Sequence, residues 1–348
     1  VNRSFLTAIA VLSLSGRVLA QAPAPDPAAQ DVGGSSGPFP AVTFGVQTFL
    51  EYAADLHESN NFNAFDVTRG YLNIQARLND RVRVRFTPDV RPTTDANLNQ
   101  NLALRMAYAS LDAKVTDNVS VMFGLHETPW LSFEESVNRY RVLGPFLAER
   151  IGLIPGPTDL GASVKYSGER MEIHAGVYNG EGDGRAEIDA YKSMDGRVTF
   201  RPFDNDSELG KVHISGFYQY GWYAKDRPRN VAIVMANYEQ PRASASVQYL
   251  SATDNPFVAV DVQRRGLSFF GEARQGVIGW SGFGGLDFIT PDVSNDVSKQ
   301  RRYIFGGARW LEVGRGRLGI VVSLESIYQS SNDLLMQRRL LAQTQVEF

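Results

Sequence analysis

Between Arg69 and Arg91 the chain reads RGYLNIQARLNDRVRVRFTPDVR, and polar and apolar residues fall on alternate positions. Leu72, Ile74, Ala76, Leu78, Val82, Val84 and Phe86 share one parity; Tyr71, Asn73, Gln75 and six arginines (Arg69, Arg77, Arg81, Arg83, Arg85, Arg91) share the other. Side chains of a strand alternate between faces, so the pattern predicts two strands turned around Asn79 and Asp80, with one apolar and one basic face. A helix would scatter Arg81, Arg83 and Arg85 around its surface.

Alternating segments recur from Val42 to the last residue. Sixteen are expected, over 42–55, 64–78, 81–91, 102–115, 118–127, 159–168, 170–179, 191–202, 210–224, 230–240, 242–253, 266–275, 277–289, 301–313, 316–329 and 336–348. Linkers after even-numbered segments are mostly tight, such as Asn79-Asp80, Thr116-Asp117 and Gly314-Arg315, with 204–210 an exception. Those after odd-numbered segments are mostly longer and polar, such as HESNNFNA from His57 and PDVSNDVSKQ from Pro291. A soluble sandwich has no reason to sort its loops by edge, whereas a transmembrane barrel has short turns at one rim and long loops at the other. The predicted fold class is therefore all-β: a transmembrane antiparallel β-barrel of sixteen strands over residues 41–348, located in the bacterial outer membrane.

In such a barrel an arginine facing lipid near the midplane costs about 2–4 kcal/mol, so charge fixes which face looks inward. The expected pore-lining basic residues are Arg69, Arg77, Arg81, Arg83, Arg85, Arg91, Lys165, Arg197 and Arg201, continued by Arg274, Arg309 and Arg339. Inward acids are expected at Glu51, Asp89, Glu172, Glu272, Asp287, Glu325 and Glu347. Tyr218, Tyr220, Trp222, Trp280 and Trp310 are expected outside, in interfacial girdles.

The longest connection, TPWLSFEESVNRYRVLGPFLAERIGLIPGPT from Thr128 to Thr158, is the third external loop on this scheme. Ser132 and Glu135 have capping-box spacing, Phe133, Val137 and Tyr140 recur at helical spacing, Pro145 suits a second turn and Gly152 its end. Apolar anchors at Trp130, Phe146, Leu147 and Ile151 imply packing, and the available place is inside the barrel. The loop is thus expected to fold inward as a constriction, with Arg139, Arg141 and Arg150 facing the arginine ladder beside Glu134, Glu135 and Glu149. Spaced guanidinium groups in a narrow low-dielectric passage concentrate small anions such as phosphate without holding them too tightly for release.

Composition narrows the alternatives. The 348 residues include no cysteine, which removes disulfides, thiolate metal sites and cysteine nucleophiles. No apolar run beyond the N-terminus is long enough for a helical span. Residues 1–20 have the form of a secretory signal peptide, with Arg3, an apolar stretch and small residues before Gln21, and residues 21–40 read as a disordered lead-in rich in Pro, Gly, Ala and Ser. A net charge of −3 does not suit a nucleic-acid partner; the partners expected are small anions and outer-membrane lipid. His57, His126, His174 and His213 are scattered, and nucleophile-elbow, zinc-protease and phosphate-loop motifs are missing. No catalytic residue, metal or cofactor is assigned, and the chain is expected not to be an enzyme. An outer-membrane barrel enzyme and a soluble sugar-binding sandwich stay as rival readings.

The arginine hairpin, FGLHETPW from Phe123, RYR followed by FLAER between Arg139 and Arg150, and PTDLGASVKY from Pro157 resemble the phosphate-selective porin O and P family, best over about residues 65–205. The resemblance implies a sixteen-stranded homotrimeric barrel with a basic ladder and an infolded third loop. Phosphate-selective members place lysines in the constriction, whereas this loop has none and carries several glutamates. A general or cation-tolerant pore therefore stands beside a phosphate-favouring one.

Overall fold

The computed structural model describes residues 40–57, 62–92, 102–182, 190–203, 211–256 and 261–348. The expected signal peptide and all of the lead-in but Pro40 lie outside the described residues, as do 58–61 and 93–101 of the predicted loops. Sixteen strands form one closed antiparallel barrel: β1 (Ala41–Asp55), β2 (Asn63–Arg77), β3 (Val82–Pro92), β4 (Leu102–Lys114), β5 (Val119–Glu127), β6 (Thr158–Ser167), β7 (Met171–Tyr178), β8 (Ser193–Phe200), β9 (Val212–Ala224), β10 (Arg227–Gln240), β11 (Ala243–Asp254), β12 (Val262–Arg274), β13 (Gly279–Thr290), β14 (Gln300–Val313), β15 (Gly316–Gln329) and β16 (Leu334–Glu347). Each strand pairs with its sequence neighbours. β1 closes the ring on β16, from Gln47 opposite Glu347 to Asp55 opposite Arg339. The seam is extended by Val46 N–H donating to Phe348 O at 2.9 Å and Phe348 N–H to Val46 O at 3.0 Å. Gly45 permits this approach, since a Cβ there would lie 2.8 Å from Phe348 O. Closure leaves no strand edge unpaired, which a structure surrounded by hydrocarbon requires.

Two departures from the expected strands have local causes. Asn79 Oδ1 accepts from Arg81 N and Val82 N at 2.8 and 2.9 Å, which draws Arg81 into the turn and starts β3 at Val82. β9 and β10 are joined only by Lys225 and Asp226, a tight connection where the alternation predicts a long one; Asp226 takes φ +60°. Two strand prolines sit at register shifts, Pro88 against β4 and Pro228 against β9, and Pro92 ends β3, positions where a missing N–H is tolerated.

The two faces separate as charge requires. Phe44, Phe65, Leu104, Phe123 and Trp280 project outward and are exposed, Phe65 to 86%. Asp89, Glu272, Asp287, Glu325 and Glu347, all expected inside, are buried on the opposite face. The sixteen-stranded antiparallel barrel is thus as expected.

Candidate functional site: the inner face of β2–β6 and the segment 128–157

The segment between β5 and β6 is closed at its base by Thr128 N–H donating to Pro157 O at 2.9 Å. It carries α1 (Leu131–Val137), a 3-10 turn at Arg141–Leu143 and α2 (Leu147–Arg150). Trp130, Leu131, Leu147, Ala148, Leu153 and Ile154 form one cluster with wall residues including Phe217, Val231, Ile233, Met235 and Leu250. Those wall residues alternate with exposed Tyr218, Val234 and Tyr249, so the contact is with the face turned away from the outer surface. Tyr140 and Val142 form a second cluster with Phe49, Phe283, Ile304, Trp310 and Val321.

Polar tethers reinforce the packing. Arg197 of β8 donates through Nε to Pro129 O at 2.7 Å, and Gln343 of β16 through Nε2 to Val142 O at 2.7 Å. Tyr140 OH donates to Glu272 Oε1 at 2.7 Å and lies 2.7 Å from Ser281 Oγ, while Arg139 pairs with the same Glu272. The segment therefore contacts strands from β8 round to β1.

The expected capping box is not formed. Trp130 is the N-cap of α1, Ser132 Oγ donates to Pro157 O at 3.3 Å, and Glu135 instead holds Arg141 Nε at 2.8 Å. α2 follows the expectation more closely: Glu149 accepts from Phe146 N at 3.0 Å, and Gly152, just past the helix, takes φ +74°. The loop arginines do not all face the ladder. Arg139 is bound to the β12 wall, Arg150 donates to Pro145 O at 2.8 Å and lies 4.0 Å from Glu325, and Arg141 is clasped by Glu149 at 2.5 and 2.6 Å. Arginine in this acidic loop is drawn to the nearest carboxylate. Glu134 is buried, accepting from Trp130 Nε1 at 3.0 Å and Gln248 Nε2 at 3.4 Å. Burial, with Glu149 nearby, pushes its carboxyl up to about 8. Burial would also raise Glu149, but Arg141 reverses this and holds it below the usual range.

The ladder residues divide by partner. Arg69 lies over Tyr71 with 5.2 Å to the ring centroid. Arg77 and Arg83 are opposite in register, and Arg83 Nη2 binds Asp112 Oδ2 at 2.8 Å. Arg85 lies 3.4 Å over the Tyr108 ring, donating to Asn73 Oδ1 at 2.8 Å and Thr87 Oγ1 at 3.1 Å. Arg91 pairs with Asp89 at 3.3 Å, Lys165 with Glu127 at 3.5 Å and Arg201 with Glu172 at 3.6 Å. Arg197, 2% exposed, is spent on the loop tether, Thr199 and Glu172 rather than presented to a solute. A cavity of about 210 Å³ lies against Arg83, Arg85, Asp112 and Lys165.

β14 reverses the expected orientation. Trp310 is fully buried inside, under Arg139 at 4.4 Å and Tyr140 at 5.8 Å, and Arg309 faces outward over Trp280 at 5.3 Å. Gly319, opposite Trp310 in register, leaves room for the indole; a Cβ there would lie 2.6 Å from it. The same reversal turns Arg302 inward, where it binds Asp287 at 3.0 Å and Glu325 at 2.6 Å. Sequence reasoning missed Arg302 because two adjacent arginines, Arg301 and Arg302, leave parity ambiguous, and apolar Ile304 and Ala308 on the parity of Arg302 point that face toward lipid, although both are buried inside. It also missed a shared hydroxyl: His126 Nε2 and His174 Nε2 lie 2.8 and 3.0 Å from Ser163 Oγ.

No protein-family profile and no curated protein matches this chain. Solved structures do. An anion-selective porin from Comamonas acidovorans has 12% identity and a TM-score of 0.61, covering 88% of this chain and 98% of that chain. OmpF of Salmonella typhi, in complex with daunomycin, has 9% identity and a TM-score of 0.65, covering 89% and 98%. OmpT of Vibrio cholerae, an outer membrane protein, has 12% identity and a TM-score of 0.60, covering 90% and 99%. The fold is that of bacterial outer-membrane porins. With its apolar outer wall and charged interior, the protein has the architecture of an outer-membrane β-barrel.

The expectation that the chain is not an enzyme is corrected. The structures it resembles include the outer-membrane protein OmpT, and a shared barrel wall at 12% identity carries no exclusion of catalysis.

Proposed function

We propose that the protein is a passive channel for small solutes that favours anions, phosphate among them, with the segment 128–157 folded inward as its constriction. The observation that carries this reading is Arg85: among the described residues its guanidinium forms no ion pair, donating to neutral Asn73 and Thr87 and lying over the Tyr108 ring, with Glu127 and Glu135 acting on it only through space. Arg69, Arg77, Arg83, Arg91, Lys165 and Arg201 extend the basic wall, and the packed segment supplies the opposite side. A homotrimer is the assembly we infer; one OmpT structure from Vibrio cholerae is described as a trimer form.

A general pore of weak selectivity is the second reading, favoured by the carboxylates that neutralise Arg139 and Arg141. Reconstitution into planar bilayers tests both: stepwise conductance supports a channel, and a lack of current from folded barrels contradicts it. Native gel migration of the unheated protein at three times the monomer mass tests the trimer.

A further inference from the structure

We propose that the outer wall of β10–β16 holds one phosphorylated lipid of the outer leaflet, with its phosphate on Arg338 and Arg301 and an acyl chain in a groove across β10–β14. The inference concerns the lipid-facing side of the barrel and stands apart from whatever passes through the bore.

The groove has a volume of about 800 Å³ and opens on the outer face. Gly271 and Gly284, opposite each other in register, form its floor, and Phe269, Leu286, Tyr303 and Phe305 form its sides. A Cβ on either glycine would meet no atom of another strand nearer than 3.8 Å, so strand packing does not demand glycine there. The missing side chains give the groove its depth. An apolar trough left empty forfeits dispersion contacts along its lining, and hydrocarbon chains are what the surrounding membrane offers to fill it.

Charge at one end selects the lipid. Arg301 shares the outward parity of exposed Tyr303 and Phe305, Arg265 that of Phe269, and Arg338 that of Leu340. All three lie toward the rim of the longer loops, the external one in barrels of this kind. Tyr303 meets Tyr328 edge-on with ring centroids 5.9 Å apart, and Arg338 donates to Tyr328 OH at 2.9 Å and Ser326 Oγ at 3.3 Å. A line of contacts thus joins the groove to the guanidinium. Among the described residues Arg265 and Arg338 form no ion pair, and Arg301 pairs with Asp333, whose side chain is 76% exposed. Three outward arginines therefore meet one carboxylate.

A guanidinium on a lipid-facing wall is costly unless an anion meets it at headgroup level, and its planar fork takes a phosphate through two hydrogen bonds. Acylated sugars bearing phosphate, of the lipid A kind, supply that anion in the outer leaflet together with chains for the groove. A free phosphate ion gains nothing from an apolar trough. A zwitterionic lipid carries an ammonium group that the arginines repel.

The test is native mass spectrometry of the full barrel, folded in detergent and mixed with diphosphorylated lipid A, phosphatidylcholine or inorganic phosphate. Lipid A is expected to be retained about tenfold to thirtyfold above phosphatidylcholine, the range for two arginines at a headgroup. Arg338→Gln and Gly284→Leu, which remove a charge and fill the groove respectively, are each expected to lower retention about fivefold or more. Arg309→Gln changes an outward arginine at the opposite rim, over Trp280, and is expected to leave retention unchanged. Heat-modified gel migration checks that each variant is folded, and Arg301→Gln serves if Arg338→Gln does not assemble. Equal retention of the two lipids, displacement of lipid A by inorganic phosphate, unchanged retention in either site variant, or an equal loss with Arg309→Gln would overturn the site. A trimer lost with Gly284→Leu while lipid A stays bound would put a second copy of the chain in the groove and overturn it as well.

Discussion

Arg197 donates through Nε to the carbonyl oxygen of Pro129 at 2.7 Å, so a residue of β8 holds the chain as it leaves β5. The same guanidinium binds Glu172 and Thr199 and covers the Phe133 ring at 4.2 Å. Arg197→Leu removes this tether and costs about 3 kcal/mol locally, as breaking a buried ion pair does. The barrel should still form, because its strand ladder is untouched, while the segment 128–157 loosens. Raised open-channel current and noise in bilayers are expected; an unchanged current trace would show that the tether does not restrain the bore.

Glu134 makes that segment sensitive to pH. Its folded-state pKa, about 8, lies above the ordinary carboxyl value of 4.5, so the folded segment favours the protonated form. The stability linked to it is therefore fully present below about 4.5, declines as pH rises, and is lost above about 8. Protease sensitivity of 128–157 should increase between pH 5 and 9, and Glu134→Gln, neutral throughout, should flatten the profile. Identical profiles for the two proteins would assign the dependence to another group.

Trp310 and Trp280, equivalent in the girdle reading of the sequence, should respond differently to truncation. Trp310 is buried between the segment and the wall, and Trp310→Ala should cost about 3–5 kcal/mol. Trp280 is 61% exposed on the outer face, and Trp280→Ala should cost far less. Urea midpoints of the two variants in detergent check this. Equal midpoints would return Trp310 to the outer girdle.

The architecture was legible in the chain because strand alternation and loop sorting are local and repeat sixteen times. β6 at Thr158–Ser167 and β15 at Gly316–Gln329 fall where 159–168 and 316–329 were expected. The orientation of β14 was not legible: Arg309 and Trp310 are neighbours of opposite polarity, and the deciding contacts, with Tyr140 and Gly319, come from elsewhere in the chain. The sequence marks basic positions but not which of them a neighbouring carboxylate or carbonyl takes up. Whether Arg83 or Arg85 keeps its charge for a solute depends on Asp112, on the next strand, and the fate of Arg197 depends on Pro129.

That difference between Arg83 and Arg85 has its own consequence. Arg85→Glu should shift ion selectivity toward cations with assembly intact, since Arg85 hydrogen-bonds only to neutral Asn73 and Thr87 and pairs with no carboxylate directly, Glu127 and Glu135 acting on it only through space. Arg83→Glu places two carboxylates together at Asp112 and should lower stability by about 1 kcal/mol or more in this partly exposed pair. Reversal potentials and heat-modified gel migration of the two variants separate the effects; a stability loss confined to Arg85→Glu would contradict the assignment.

The central claim is that the guanidinium-bearing face of one β-ribbon lines an aqueous bore and sets its preference for negative solutes. Its most direct test is the zero-current potential of the reconstituted wild-type channel under a potassium chloride gradient. The account predicts a potential of the sign set by chloride passing more readily than potassium. A potential of the opposite sign would contradict it.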